Sequence, residues 1–317
     1  MSYLPCELHC HTVHSDGDFQ VTQLLEAARN NHLSLIALTD HNTFSGHGEL
    51  DDSITPAIRG IEWTTYFGHM LVLGAKEYVD WRNAVPDNID DKIKEIKACG
   101  GIVGIAHPFQ MGSPICTGGR WEFNVKNWNN VDYMEIWHED LNKISGENVK
   151  SVELWTSLLD KGCKIAASYG RDWHRYEKSG HYGCTYIDIE GDVNEAAAIR
   201  GIRMGKTVVS SGAKFFFRMH RHGNTFSIGD TVKKGIYTFS FYTDLHSREK
   251  DAGEESVIYK TIKIISNGGK TVLETRADQR HARLKLEPKK WYRAELWGTV
   301  DGDSHPLAIT SPVYCEL

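Results

Sequence analysis

The sequence of 317 residues has no long apolar run, no CxxC pair and no basic cluster of the nucleic-acid-binding kind. No stretch approaches the ~20 consecutive apolar residues that a membrane-spanning helix requires. The N-terminus has no basic segment followed by an apolar one. A net charge of -6 at pH 7, with both signs mixed, argues against a nucleic-acid polycation. We therefore predict a cytoplasmic protein that binds neither a membrane nor a nucleic-acid polymer.

The cysteines form no recognisable motif, and no protein nucleophile stands out. The seven cysteines are odd in number and scattered, and none has the spacing of a zinc knuckle or a redox motif. We expect them to be buried, reduced thiols. There is no convincing GxSxG motif or Cys/His pair of the kind that carries covalent catalysis. Internal repeats and low-complexity linkers are absent as well.

What the sequence does contain is a series of metal-binding side chains in its first 174 residues. Most of them stand at the ends of short apolar runs, so they can converge on one face of a sheet. They are His9, His11, Asp16, His41, Glu62, His69, His107, Asp172 and His174. Burying so many imidazole and carboxylate groups without a cation would be costly, so the set predicts a site for more than one metal ion.

Two short segments show how such a site forms locally. Because side chains two apart on a strand point to the same side, His9 and His11 can offer two imidazoles to one ion. Asp16, in the following turn, adds a carboxylate. Asp40, in the Thr-Asp-His segment, is either a helix cap or a group that orients a metal-bound histidine. Glu62 can bridge two cations and so offset their mutual repulsion.

Short apolar strands alternate with amphipathic helices over the first two thirds of the chain. The predicted strands are 6–11, 35–39, 57–65, 70–73, 102–106, 133–137 and 165–168, and the predicted helices are 21–31, 89–99 and 196–204. Repeated βα units favour a parallel sheet with right-handed crossovers. Functional groups at the C-terminal ends of strands are typical of an α/β barrel, whose active site is built from the loops after the strands.

The pattern changes after residue 212. Runs at 215–219, 235–242, 260–266, 271–275 and 292–297 are β-rich, and Asn267-Gly268-Gly269 is typical of a hairpin turn. We predict a barrel domain over residues 1–212 and a small all-β, sandwich-like domain over residues 213–317. The alternatives for the second domain are covering one side of the barrel, assembling a homo-oligomer, and recognising a larger substrate.

Five ordered motifs resemble those of the PHP (polymerase and histidinol phosphatase) superfamily. The family pattern HxHTxxSDG appears as His9-Cys-His-Thr-Val-His-Ser-Asp-Gly17, and TDHN appears as Thr39-Asp-His-Asn42; the Glu62 segment, Ala106-His-Pro108 and Asp172-x-His174 follow in the expected order. The resemblance covers roughly residues 5 to 212. Within the superfamily, Glu135-Ile-Trp137 and Trp155-x-x-Leu158-Leu159-x-x-Gly162 are similar to motifs of the CehA/McbA-like metallohydrolases.

The resemblance implies a distorted (β/α)7, TIM-like barrel with two or three divalent metal ions, for which zinc, iron and manganese are the candidates. By this resemblance a first ion would be held by His9, His11, Glu62 and Asp172, a second by Glu62, His69 and His107, and a third by Asp16, His41 and His174. Cations that share Glu62 would lower the pKa of a water between them and polarise the group under attack. Glu62, Asp172 and His174 are the predicted catalytic residues.

The activity implied is hydrolysis of a small phosphate monoester by a metal-activated hydroxide. Arg171 and Arg175 are candidate phosphate donors, and His138 is a candidate for contacting the substrate or protonating its leaving group. A salt bridge for Arg171 and structural packing for His138 are the alternatives.

Two other functions stay open. One is hydrolysis of a carboxylic ester, amide or carbamate by the same metal chemistry, and the other is a noncatalytic binding module that retains its metals. A basic entrance to the site would favour a phosphate substrate. A Trp-lined, weakly basic entrance would favour a neutral acyl substrate.

Overall fold

A computed structural model of the chain describes residues 3–112, 119–138, 146–176, 182–245, 257–300 and 302–316. Its first part alternates strands and helices. The strands are β1 Tyr3–Cys10, β2 Leu35–Leu38, β3 Ala57–Thr65, β4 Gly68–Leu73, β5 Ile102–Ile105, β6 Tyr133–His138, β7 Ala166–Gly170, β8 Cys184–Asp188 and β9 Thr207–Ser210. The helices are α1 Val21–Asn30, α2 Ile89–Ala98, α3 Gly146–Asp160 and α4 Glu195–Arg203.

Three of these helices follow the apolar periodicity of the sequence. In α2, for example, Ile89, Ile93 and Ile96 lie on one face and are all buried. The predicted helices at 21–31, 89–99 and 196–204 are confirmed to within one residue at each end. Helix α3 was not predicted, because polar Asn148 and Ser151 occupy buried positions in its first turns and interrupt the apolar pattern.

The large sheet is mixed, so the expectation of a parallel sheet is wrong in part. Strands β1, β2 and β3 pair in parallel, as do β5, β6 and β7. Strand β4 pairs antiparallel with β3 and β5, and β8 pairs antiparallel with β1 and β9. Only Tyr66 and Phe67 separate β3 from β4, and a connection this short cannot make a parallel crossover.

Backbone hydrogen bonds bring the ends of β1 and β7 together. The His11 N–H donates to the Trp173 carbonyl at 2.9 Å, and the Trp173 N–H donates to the His9 carbonyl at 3.0 Å. A second bridge joins His41 to Glu62 in parallel. The segments that follow β1, β2 and β7 are therefore held side by side, at the edge where the predicted ligands lie.

After β9 the regular secondary structure of the described residues consists of strands, apart from a 3-10 turn at Asn267–Gly269. They are β10 Lys214–Arg221, β11 Asn224–Ser227, β12 Thr231–Lys233, β13 Gly235–Asp244, β14 Val257–Ser266, β15 Lys270–Arg276, β16 His281–Leu286, β17 Lys290–Val300, β18 Asp303–Thr310 and β19 Val313–Glu316. Strands β14 and β15 pair antiparallel across the predicted Asn267–Gly269 turn, which confirms the hairpin. Strands β11, β10, β13 and β16 form a separate sheet, whereas β18 pairs with β9 and extends the large sheet.

One apolar core crosses the junction between the two parts. Phe215, Phe217 and Met219 of β10 are buried in the same cluster as residues of β1 and α1, and the ring of Tyr3 stacks on Phe216 with centroids 4.7 Å apart. Among the described residues the cysteines form no disulfide and, Cys99 excepted, they are buried as expected; Cys116 lies outside the described residues. No helix in the described part of the chain is long and apolar enough to cross a membrane.

The contact between β5 and β6 predicts a specific sensitivity to added volume. A Cβ built on Gly104 would lie 2.2 Å from the ring of Tyr133, which is fully buried and cannot move aside. We expect Gly104→Ala to lower the free energy of unfolding by about 1–3 kcal/mol, the usual cost of overpacking a core. Urea denaturation of wild type and variant measures this difference.

Gly48→Ala is the control, because nothing lies within 4 Å of a Cβ at that exposed position. Its unfolding free energy should stay within about 0.5 kcal/mol of wild type. Equal effects of the two substitutions would show that the close approach of Gly104 to Tyr133 is unimportant.

Candidate metal centre

The predicted ligands meet at one edge of the large sheet. Side chains of His9 and His11 lie at the end of β1, are fully buried, and have ring centroids 5.1 Å apart. Glu62 on β3 is also fully buried and faces them. His69 begins β4, next to the β3–β4 turn, and His107 follows β5.

Ligand-type atoms form four overlapping groups, and in each group one atom per residue lies within 4.8 Å of all the others. The groups are His9, His11, Glu62 and Asp172; Glu62, His69 and His107; His11, Asp16, His41 and His174; and His107, His138 and Asp172. All nine predicted ligands therefore come together. The first two groups match the sets that the family resemblance implies, the third adds His11, and the fourth brings in His138.

The carboxylate of Glu62 faces two sets of imidazoles with its two oxygens. Oε2 lies 3.3 Å from His9 Nε2 and 3.5 Å from His11 Nε2. Oε1 lies 2.9 Å from His69 Nδ1 and 3.1 Å from His107 Nε2. A carboxylate placed in this way can serve two cations at once, as in two-metal hydrolytic sites.

Asp172 completes the first group from the opposite side. Its Oδ1 lies 3.2 Å from His9 Nε2 and 3.0 Å from His11 Nε2. The backbone of Asp172 has φ 54°, in the left-handed region that Asp tolerates better than most residues. Hydrogen bonds of the flanking Arg171 and Trp173 N–H groups hold this conformation, as strained backbone requires.

The third group is more open to solvent than the other three. Asp16 Oδ1 lies 3.1 Å from His174 Nε2 and 3.4 Å from His41 Nε2, and the Asp16 side chain is 59% exposed. The turn that carries Asp16 is held by Asp40, which is buried.

Asp40 accepts hydrogen bonds from Thr12 and Ser15. Its Oδ1 accepts from the Thr12 N–H at 2.7 Å and from the Ser15 hydroxyl at 2.6 Å, and its Oδ2 accepts from the Thr12 hydroxyl at 2.7 Å. Asp40 therefore neither caps a helix nor binds a ligand histidine among these contacts. It supports the turn after β1.

The charges of the cluster keep its carboxyl groups ionised. Although burial acts to raise it, the imidazoles of His9 and His69 hold the pKa of Glu62 well below its usual range. Burial likewise opposes ionisation of Asp172, but His9 and a hydrogen bond with His11 hold its pKa well below the usual range. Carboxylates in this state are ready to bind cations.

The imidazoles divide into two kinds. Burial lowers the pKa of His11 and of His107, so these rings stay neutral near pH 7, the form that binds a metal. Burial also acts to lower the pKa of His41, but hydrogen bonds with Asp16 and Glu62 raise it to about 10. A cation bound by the third group would have to displace a proton from His41.

Several buried polar atoms of the cluster make no well-formed hydrogen bond, although some of them lie 2.7 to 3.5 Å from an ionisable partner. They are His9 Nε2, both ring nitrogens of His11, Glu62 Oε2, His69 Nε2, His107 Nδ1 and Asp172 Oδ1. Such groups are costly to bury unless something compensates them. Most of them point to the positions that the ligand groups enclose, and their mixture of imidazole and carboxylate suits divalent ions such as zinc, iron or manganese. The residues therefore fit a multinuclear metal site.

The three candidate substrate-binding residues are placed differently from one another. Arg171 is only 9% exposed, and its guanidinium is stacked between the rings of Trp173 and Tyr182, 4.0 and 3.8 Å from their centroids. Arg175 is exposed. His138 is buried with its Nε2 3.4 Å from Asp172 Oδ2, so it belongs to the cluster itself.

Two buried carboxylates beside the cluster were not assigned to the site from the sequence. Glu7 accepts the backbone N–H groups of His9 and Arg171, and burial raises its pKa to about 7. Glu135 hydrogen-bonds to His9 and to His107. The signal that identifies them is an acidic residue inside an otherwise apolar buried strand, which requires a partner in the interior.

Comparison with known proteins gives one distant sequence relative. No protein-family model matches the chain. The uncharacterized protein MJ1295 of Methanocaldococcus jannaschii is 29% identical over 165 residues, which are 51% of this chain and 72% of that protein.

Solved structures are more informative about the fold. A two-domain protein from Bacteroides vulgatus ATCC 8482, containing a predicted PHP-like metal-dependent phosphoesterase, superposes with a TM-score of 0.53 at 15% identity, covering 97% of this chain and 95% of that one. An amidohydrolase from Chromobacterium violaceum with bound sulfate is 16% identical, with a TM-score of 0.39 over 64% of this chain and 97% of that one. The chain thus shares the fold of the PHP-like two-domain protein. Its place in the PHP superfamily is predicted by the five sequence motifs.

Proposed function

We propose that the protein is a metal-dependent phosphoesterase that cleaves a small phosphate monoester. The observation that carries this proposal is the position of Glu62. Its Oε1 lies 2.9 and 3.1 Å from two imidazoles, and its Oε2 lies 2.7 to 3.5 Å from three others. The similar Bacteroides vulgatus protein contains a predicted metal-dependent phosphoesterase, which supports the same reaction class.

The ligand sets of the proposal are the first two groups in full and the third group without His11: His9, His11, Glu62 and Asp172; Glu62, His69 and His107; and Asp16, His41 and His174. When bound, two or three divalent ions would supply water of lowered pKa and polarise the phosphate. Zinc, iron and manganese are the candidates.

The protein's own groups have distinct parts in this reaction. Glu62 and Asp172 face the first group from two sides, and we assign His174, in the more exposed third group, to the substrate side of the site. We assign to His138, whose Nε2 lies 3.4 Å from Asp172 Oδ2, the transfer of a proton to the leaving group. Arg175 is exposed, and it is our candidate for contacting a phosphate oxygen.

One observation favours the acyl-hydrolase alternative. Arg171 is stacked between two aromatic rings and is nearly buried, so the entrance has less exposed positive charge than its sequence suggests. A weakly basic entrance suits a neutral carboxylic ester, amide or carbamate. The same metal chemistry would serve either substrate, and the leaving-group experiment below separates them.

The wider organisation is part of the proposal. We assign residues 1–212 to a distorted (β/α)7 barrel and residues 213–317 to an all-β domain. The chain after β7 pairs with the end of β1, as a closing barrel requires, and β18 joins the large sheet through β9. Membership of the CehA/McbA-like branch and a cytoplasmic location stay predictions.

Two substrates with one leaving group test the reaction. We expect protein loaded with zinc, manganese or iron(II) to release p-nitrophenol from p-nitrophenyl phosphate much faster than from p-nitrophenyl acetate, and metal-free protein to release it from neither. Absorbance of p-nitrophenolate measures both reactions. If the protein hydrolyses the acetate faster, the acyl-hydrolase function replaces the phosphoesterase function. If the metal-loaded protein hydrolyses neither substrate, it is a noncatalytic module.

Glu62→Gln tests the bridging carboxylate. The substitution keeps the shape of the side chain but removes the charge that two cations would share, so we expect hydrolysis to fall at least about 100-fold, the scale for losing one preorganised electrostatic group. Glu295→Gln is the matched control, since Glu295 is an equally buried carboxylate that pairs with Arg293 in β17. Retained activity in Glu62→Gln would remove Glu62 from the mechanism.

Metal binding should also stabilise the fold. Because the ligands lie far apart in sequence and meet only in the folded state, an ion at 100 times its Kd should add about 2.7 kcal/mol to the unfolding free energy. Thermal melts of chelator-treated protein, with and without added zinc, measure this shift. A melting temperature unaffected by every candidate metal would contradict the metal site.

A further inference from the structure

We propose that Glu135 is a positioning residue that couples the two halves of the metal cluster. It belongs to none of the four ligand groups, yet it contacts one ligand of the first group and one of the second. This inference rests on the metal sites of the proposed function. In this proposal the buried carboxylate of Glu135 orients both His9 and His107.

The contact with His9 determines which nitrogen of that ring faces the ligand group. Glu135 Oε1 lies 2.8 Å from His9 Nδ1, and both side chains are fully buried. The other ring nitrogen, Nε2, faces Glu62 and Asp172 at 3.3 and 3.2 Å. When Nδ1–H donates to a carboxylate, Nε2 keeps its lone pair and the ring is a better metal ligand.

The contact with His107 acts through the backbone. Glu135 Oε2 accepts the His107 N–H at 2.8 Å. His107 has φ 22°, a conformation that side chains of this size rarely adopt and that persists only where surrounding contacts hold it. In this conformation His107 Nε2 lies 3.1 Å from Glu62 Oε1. Releasing the N–H would let the peptide relax and move the ring away from Glu62.

The space for the Glu135 carboxylate is provided by a glycine on the neighbouring strand. A Cβ built on Gly170, the last residue of β7, would lie 2.0 Å from Glu135 Oε1 and 2.3 Å from its Cδ. The φ of Gly170 is not in the left-handed region, so its backbone does not itself require glycine. What requires glycine is the carboxylate. The strand that leads to Asp172 is therefore shaped around Glu135.

The substitution Glu135→Gln distinguishes the effect of the two hydrogen bonds from the effect of side-chain volume. Both groups that approach Glu135 donate a hydrogen, and a carboxylate can accept both. An amide has one oxygen and one NH2 group, so Glu135→Gln keeps the volume but must lose one of the two hydrogen bonds and oppose one donor with another.

The experiment measures metal affinity in the full-length protein without any substrate. Chelator-treated Glu135→Gln is titrated with zinc against a chromogenic competitor, and with cobalt(II) while the visible spectrum is recorded. We expect affinity for both of the tightest ions to fall about 10- to 100-fold, the usual effect of removing a carboxylate that orients a metal-bound histidine. The cobalt spectrum should change for both ions.

Asp132→Asn is the matched control. Asp132 directly precedes the same strand, but its carboxylate pairs with Lys97 at 2.8 Å and accepts the Val103 N–H, away from the cluster. We expect Asp132→Asn to lower thermal stability and leave metal affinity unchanged. A merely structural role for Glu135 would make the two variants behave alike, and this result would overturn the proposal.

Gly170→Ala is the second variant, for use if Glu135→Gln fails to fold by circular dichroism. It displaces the Glu135 carboxylate without removing any polar group, and it should weaken the binding of both ions to a similar degree. If the metal affinity is unchanged, or if the binding of only one of the two ions weakens, Glu135 does not couple the two halves of the cluster. Failure of the proposed function is distinguishable, because wild-type protein would then bind metals normally and hydrolyse no ester.

Discussion

The burial of carboxylates among imidazoles is the constraint on which the rest of the structure depends. Glu62 and Glu135 are almost completely enclosed, and an isolated charge in such a place would be strongly destabilising. Each of them is compensated by histidine side chains or N–H groups within about 3.5 Å. Because every carboxylate shares its partners with another, a change at one position alters the whole cluster.

The antiparallel hairpin of β3 and β4 serves this cluster directly. Thr64 pairs with His69 across the hairpin, so the chain returns His69 to within 2.9 Å of Glu62 after only seven residues. A parallel crossover would have carried the chain to the opposite end of the sheet before it could return. The departure from a parallel sheet therefore places two candidate ligands of one group on adjacent strands.

The C-terminal part of the chain contacts β7, the strand that leads to Asp172. The Ser311 hydroxyl accepts the Ala167 N–H at 2.8 Å and lies 2.7 Å from the Thr207 hydroxyl, which in turn donates to the Ala167 carbonyl. Ala167 is in β7, the strand that ends at Gly170 and leads to Asp172. Ser311 thus links the C-terminal part of the chain to β7, the strand that precedes the candidate ligand Asp172.

Local pattern in the sequence by itself determined the helices α1, α2 and α4, the β-rich character of the C-terminal part, and the nine residues that converge. Each of these depends on periodicity or on short motifs within a few positions. The mixed sheet, helix α3, the inclusion of His138, the burial of Arg171 and the place of Glu135 were decided only by tertiary structure. His9 and Glu135 are 126 positions apart, and the need of a buried carboxylate for a partner does not say which distant residue will meet it.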